Sequence, residues 1–235
     1  MKVLVLANFG MGLYNFRKEL LEELIKQNYE VYISLPNDKY VPLLVELGCK
    51  FIDTTMNRRG TNPFLDLLLL FKYIRILKKI KPDLVLTYTI KPNVYGGIAC
   101  QFLKIPYIAN ITGLGTAVEN KGLLQKITLM LYKIGLYRAN CVFFQNKTNR
   151  KFFINNNIIK TKTRLIPGSG VNLEQHRFEK YPKENHKIRF LFVGRIMKAK
   201  GIDKWTSRRE KALFNDRNGA SVDPYFETAS RDAGI

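Results

Sequence analysis

Seven short apolar runs, spaced along the first two thirds of the chain, set what it can fold into. They are KVLVLA (2–7), EVYISL (30–35), KFIDT (50–54), DLVLTY (83–88), PYIANI (106–111), CVFFQ (141–145) and TRLIP (163–167). Most are continuous rather than alternating, which suits strands buried on both faces of a parallel sheet. Helix-like segments lie between most of them, at 40–47, 63–80, 93–103, 122–137 and 147–156. Strands alternating with helices predict an α/β, doubly wound parallel sheet. Right-handed crossovers would bring the loops after the strands to one common edge.

The opening unit is the sharpest instance. After KVLVLA comes NFGMG, a short turn with Gly10 and Gly12, and then LYNFRKELLEELIKQ, with Phe16, Leu20 and Leu24 on one helical face. Strand, glycine turn and amphipathic helix make a Rossmann-like unit, whose loop lets a phosphate or sugar approach a helix N-terminus. The dinucleotide fingerprint is incomplete: the third glycine is missing, and no acid closes the second strand. Two readings stay open for the glycines. One is a turn that needs glycine for geometry alone; the other is a ligand-facing loop.

Charge narrows the partners. The 235 residues carry 39 Lys and Arg against 19 Asp and Glu, a net +20, which points to anionic partners. Six basic and five acidic residues in 204–235 leave +19 in residues 1–203. The positive charge is spread along helices and no nucleic-acid motif accompanies it, so nucleic acid is not expected as a partner. Cys49, Cys100 and Cys141 are scattered through apolar segments without metal-ligand spacing, as buried reduced thiols would be. No signal peptide is visible at the N-terminus. Segment 63–80, PFLDLLLLFKYIRILKKI, is broken by Asp66, Lys72, Arg75, Lys78 and Lys79, so its uncharged stretch falls short of the ~20 residues that span a bilayer. It reads as a buried helix with a basic solvent face, or as a basic amphipathic helix that touches an anionic membrane.

Past the seventh run, a polar stretch with Pro182 reads as a linker, with His176 and His186 in it. IRFLFVGR (188–195) then looks like the first strand of a second Rossmann-like unit. The pattern stops after Asp203, and residues 204–235 show neither strand runs nor a helical stripe.

Five loops are expected at the shared sheet edge: 8–12, 58–63, 89–93, 112–115 and 167–172. They are rich in Gly, Asn, Thr and basic residues. None offers a nucleophile with a base, paired carboxylates or a His cluster. Asp-x-Asp is absent from the sequence, so a carboxylate-held metal for a nucleotide diphosphate is not supported. In GRIMKAKG (194–201), Arg195 and Lys200 sit between a strand and a helix start, where both can meet a diphosphate.

Five blocks carry a family likeness: ANFGMGLYNFRKELLEEL, KPDLVLTYTIKPNVYG, IPYIANITGLG, LIPGSGVN and FLFVGRIMKAKGID. Together, in order over residues 1–203, they resemble a family 4 glycosyltransferase of the GT-B fold. They are most similar to bacterial enzymes of capsule, lipopolysaccharide O-chain or other lipid-linked glycan synthesis. The resemblance implies a retaining hexosyltransferase with two Rossmann-like domains, no metal and no cofactor. A nucleotide-sugar donor and a lipid-linked saccharide acceptor would be its substrates. It divides the chain into an acceptor-side domain (1–172), a linker (173–187), the first strand and turn of a donor domain (188–203) and an unlike tail (204–235).

By motif, Gly10, Gly12, Arg195 and Lys200 would meet the donor diphosphate. Developing negative charge on that leaving group is where preorganised cations help most. Asn93, Thr112, Gly113 and Gly115 would line the acceptor and sugar cleft. Several relatives place a histidine or an acid near 112–115; this chain has neither there, and no catalytic base is assigned. The family's paired glutamates have no counterpart among Glu210 and Glu227. The expectation is a truncated, inactive transferase, cytoplasmic and peripheral at the inner face of the membrane. The alternative is a non-catalytic glycan- or partner-binding module.

Overall fold

The computed structural model describes residues 1–58, 60, 62–114, 118 and 122–180. Contacts divide the chain into two units, Met1–His176 and Arg177–Ile235. The first holds every element described below. The expected donor strand at 188–203 and the tail lie outside the described residues.

Within the first unit, the strands are β1 (Lys2–Leu6), β2 (Glu30–Leu35), β3 (Lys50–Asp53), β4 (Leu84–Tyr88), β5 (Tyr107–Ile111), β6 (Cys141–Phe144) and β7 (Thr163–Leu165). All pair in parallel, in the order β3-β2-β1-β4-β5-β6-β7. The helices are α1 (Gly10–Lys26), α2 (Val41–Glu46), α3 (Pro63–Ile80), α4 (Gly97–Leu103), α5 (Leu123–Leu136) and α6 (Lys147–Asn155). A π-helical turn, Pro92–Gly96, runs into α4. This is the doubly wound α/β sheet that the alternating runs predicted.

Both faces of the sheet are covered. Val3 and Val5 of β1 pack with Leu13 and Leu21 of α1 and Leu44 of α2, while Leu4 and Leu6 pack with residues of α3, α4 and α5. That two-sided burial is why β1 is apolar throughout rather than alternating. The strand order reverses between β1 and β4, since chain built after β1 goes one way and chain built after β4 the other. A crevice forms at such a point, outside the carboxyl ends of the two strands.

Two helices differ from their expected faces. In α1 the buried residues are Gly10, Leu13, Arg17 and Leu21, whereas Phe16 is 52% and Leu20 38% exposed. The reason lies in Arg17. Its guanidinium sits 5.1 Å over the ring of Tyr88 at the end of β4, so a charged residue occupies a core-facing position and shifts the stripe by one. In α3 the buried stripe is Leu69, Tyr73, Leu77 and Ile80, each apolar side chain worth about 1.5–3 kcal/mol of burial. Asn62 caps this helix, accepting from the Phe64 amide at 2.9 Å, and Pro63 follows at the first helical position. Its outer face is not simply basic. Phe64, Leu65, Leu67, Leu68 and Phe71 are exposed along the first half, with Lys72, Arg75, Lys78 and Lys79 after them.

Candidate functional site

The crevice at the β1/β4 reversal is built from the residues that leave those two strands. Asn8 and Phe9 follow β1, and Thr89 to Lys91 follow β4. The Pro36–Tyr40 connection after β2 flanks them, through Asp38.

Gly10 opens α1 rather than sitting in a loop. Its amide donates to Asp38 Oδ2 at 2.6 Å, and Asp38 Oδ1 accepts from the Tyr40 amide at 3.0 Å. A Cβ on Gly10 would meet Asp38 Oδ1 at 2.3 Å, and one on Gly12 would meet the Phe9 ring at 2.8 Å. Both glycines are therefore accounted for by contacts inside the fold. The α1 N-terminus already faces a carboxylate, which satisfies one of its free amides and complements its dipole. Asp38 itself escaped the sequence reading, although it stands three residues past the end of β2.

Asn93 also turns inward. It is 1% exposed; its Oδ1 accepts from Thr87 Oγ1 at 2.6 Å and its Nδ2 donates to the Asn110 carbonyl at 3.0 Å. The Asn110 amide donates back to the Thr87 carbonyl at 3.3 Å. Asn93 thus ties β4 to β5 from beneath the crevice, and the expectation that it lines the cleft is corrected. Thr112 and Gly113 follow β5 and are exposed, with nothing within 4 Å of a Cβ placed on Gly113. Gly115, Arg195 and Lys200 lie outside the described residues.

Two polar atoms at the reversal are buried and have no hydrogen-bond partner among the described residues: Asn8 Oδ1 and Thr89 Oγ1. Thr89 also has φ +74°, a left-handed backbone that a β-branched residue rarely adopts. Its carbonyl accepts from the Asn93 amide at 3.0 Å, which starts the following helical segment. Neither feature was visible in the sequence, because partner counts and φ angles depend on the assembled sheet.

A second polar cluster stands beside the crevice. Lys91 pairs with Asp66 of α3 at 2.5 Å, and Tyr95 donates to the other Asp66 oxygen at 2.9 Å. Burial and the Asp66 carboxylate both push the Tyr95 hydroxyl up. The cluster fastens the loop after β4 to the first turn of α3. Between that helix and the β3–α3 connection runs a groove of about 450 Å³. Met56, Leu65, Leu68 and Phe71 line it, together with Asp66, Lys72 and Arg75. Among the described residues no helix is long and apolar enough to cross a membrane.

A parallel sheet wound in this order, with polar residues at its reversal, is Rossmann-like. The model of the glycosyl transferase 4-like family matches residues 2–146, and the chain belongs to that family. One relative is the Campylobacter jejuni N,N'-diacetylbacillosaminyl-diphospho-undecaprenol alpha-1,3-N-acetylgalactosaminyltransferase. It is 28% identical over 245 residues, a match spanning 95% of this chain and 65% of the relative. Another is the Staphylococcus aureus capsular polysaccharide biosynthesis glycosyltransferase CapM, 27% identical over 77% of this chain and 50% of the relative. The chain thus spans between half and two thirds of the length of these two relatives. Among solved structures, a glycosyltransferase from Rickettsia africae superposes with a TM-score of 0.59 at 19% identity. The match covers 75% of this chain and 45% of that one. Anabaena HepE in complex with UDP-glucose gives 0.55 at 16% identity, over 74% and 45%. A UDP-GlcNAc 2-epimerase from Methanocaldococcus jannaschii gives 0.51 at 18% identity, over 70% and 45%. At these identities the likeness is one of fold.

Proposed function

We propose that this chain is the acceptor-side part of a transferase that moves a sugar from a nucleotide-sugar to a lipid-linked saccharide. The observation that carries the reading is the family match over residues 2–146, which covers β1 to β6 and so the whole crevice. Its chemistry agrees: exposed Thr112 and Gly113 after β5 leave a polar, open loop at the same sheet edge, suited to sugar hydroxyls. The relatives named above include a transferase acting on an undecaprenyl-linked saccharide and one of capsule synthesis. Arg195 and Lys200 remain proposals for the leaving diphosphate, and Thr112, Gly113 and Gly115 for the acceptor side. The reading calls for no metal and no cofactor.

Peripheral contact with an anionic membrane belongs to the same proposal. The exposed apolar and basic residues of α3 support it, as do exposed Leu123, Ile127 and Met130 of α5 on the same side of the sheet. That the 235-residue chain transfers no sugar by itself also remains a proposal, supported by the greater length of its relatives. The test is a transfer assay with a panel of nucleotide-sugars and undecaprenyl-diphosphate-linked saccharides. It is run on this chain and on a longer one carrying a complete donor domain. Turnover by the longer chain alone is the expected result. Turnover by neither overturns the transferase reading, and equal turnover by both overturns the inactivity of the shorter chain.

A further inference from the structure

We infer that Arg58, held over the Phe9 ring beside the first turn of α1, recognises a diphosphate group that the glycine turn itself does not take. The inference rests on the transferase reading for the origin of that group, which a nucleotide-sugar and a diphosphate-linked lipid saccharide both carry. It rests on geometry for the rest.

Two glycines fix where this guanidinium stands. Gly60 closes a turn around it: the Gly60 amide donates to Asn57 Oδ1 at 2.8 Å, and a Cβ on Gly60 would meet Asn57 Nδ2 at 2.4 Å. Gly12 seats the platform. A Cβ at position 12 would come within 2.8 Å of the Phe9 ring, so glycine there lets the ring lie against the first turn of α1. The Arg58 guanidinium is 4.4 Å from the centre of that ring, inside the ~6 Å reach of a cation–π contact.

The charge so placed is exposed and open. Among the described residues no carboxylate pairs with Arg58. Stacking occupies the face of a guanidinium and leaves the N–H groups along its edge free to donate. Two cations beside β4 are spent within the fold. Lys91 pairs with Asp66, and Arg17 donates to the Phe16 carbonyl while lying over Tyr88. The Gly10 amide is taken too, by Asp38. At this end of α1 an anion therefore finds its positive partner in a side chain from the β3–α3 connection. A guanidinium fork meets two phosphate oxygens at once, which a single amide cannot do.

The experiment titrates the full 235-residue chain with inorganic pyrophosphate, by calorimetry and by NMR of the Arg58 Nε–H group. Pyrophosphate should move that resonance. Arg58→Gln should weaken binding roughly ten- to a hundredfold, the range for charge-assisted hydrogen bonds. Lys104→Gln removes an equal charge just before β5, at the opposite edge of the sheet, and should change binding by less than about twofold. Arg58→Lys keeps the charge without the fork and should fall between wild type and Arg58→Gln. Uridine diphosphate and geranyl diphosphate, titrated separately, assign the group to nucleotide or lipid. A loss in Arg58→Gln with either one supports the inference.

An Arg58 resonance that pyrophosphate leaves in place overturns it. So does unchanged affinity in Arg58→Gln, or equal losses in Arg58→Gln and Lys104→Gln, which would mean attraction to net charge alone. If the longer chain transfers sugar and Arg58→Gln alters the KM of neither substrate, the inference falls and the transferase reading stands. If pyrophosphate binds through Arg58 and no chain transfers sugar, the transferase reading falls and the inference stands.

Discussion

Residue by residue, the polar groups of this fold divide into those engaged with one another and those left for something else. Asp66 belongs to the first kind. It joins Lys91 and Tyr95, and both members of the Asp66–Lys91 pair have side chains only 13% exposed. Asp66→Asn keeps the shape and strands a mostly buried ammonium without its counter-charge, so a loss of about 2 kcal/mol is expected in urea unfolding. Lys91→Met in the same background should recover part of that loss; full additivity would show that the two do not interact. The thiols give a prediction with a definite sign. Burial pushes Cys49 up to about 11 and Cys100 up to about 12, against an ordinary value near 9. Above pH 9 the unfolded chain loses these protons while the folded one keeps them. The unfolded state then binds fewer protons, so stability falls as pH rises from 9 towards 11. Cys49→Ala with Cys100→Ala should flatten that part of the pH–stability curve, and an unchanged slope would contradict the assignment.

At the scale of elements, the strands were legible and the faces of the helices were less so. All seven apolar runs became strands, because a strand covered on both sides must be apolar along its length. α1 was misread by one position because Arg17 stands where an apolar residue was sought, held by the Tyr88 ring. α3 was read correctly in extent; of the two readings of its outer face, the simply basic one is departed from by exposed phenylalanine and leucine residues that precede the lysines. A periodicity argument assumes that apolar residues seek the core, and a helix with another use for its outer face breaks that assumption. The contact between α4 and α5 shows packing that no pattern reveals. A Cβ on Gly97 would meet the Gly135 carbonyl oxygen at 2.1 Å, and one on Gly135 would meet Val94 Cα at 2.7 Å. Both obstacles are backbone, which cannot swing aside. Gly135→Ala is therefore expected to cost about 1–3 kcal/mol in thermal or urea unfolding, despite alanine's better helix propensity. A neutral or stabilising result would mean that the two helices can separate without loss.

For the molecule as a whole, the family was legible from ordered blocks of residues, and the match over 2–146 agrees with it. The site was legible only as a set of loops. Glycine at 10 and 12 left open a turn that needs glycine for geometry and a ligand-facing loop; Asp38, from another connection, crowds Gly10, the Phe9 ring crowds Gly12, and Asn93 turns inward to β5. Such pairings join residues far apart in sequence, so spacing cannot announce them. The buried, unpartnered oxygens of Asn8 and Thr89 became visible only once the neighbouring strands were side by side. The charge of +20 and the apolar front of α3 act at this same scale. Attraction of exposed cations to anionic lipid weakens as salt shortens the Debye length, to about 10 Å at 0.1 M.

The central proposal, that this chain receives a lipid-linked saccharide at a membrane, is tested most directly by vesicle co-sedimentation. Three preparations are compared: phosphatidylcholine alone, phosphatidylcholine with phosphatidylglycerol, and the second carrying undecaprenyl-diphosphate-linked N-acetylglucosamine. Binding should rise from the first to the second and fall again with added salt. It should rise further in the third. Equal binding to all three preparations would contradict the account.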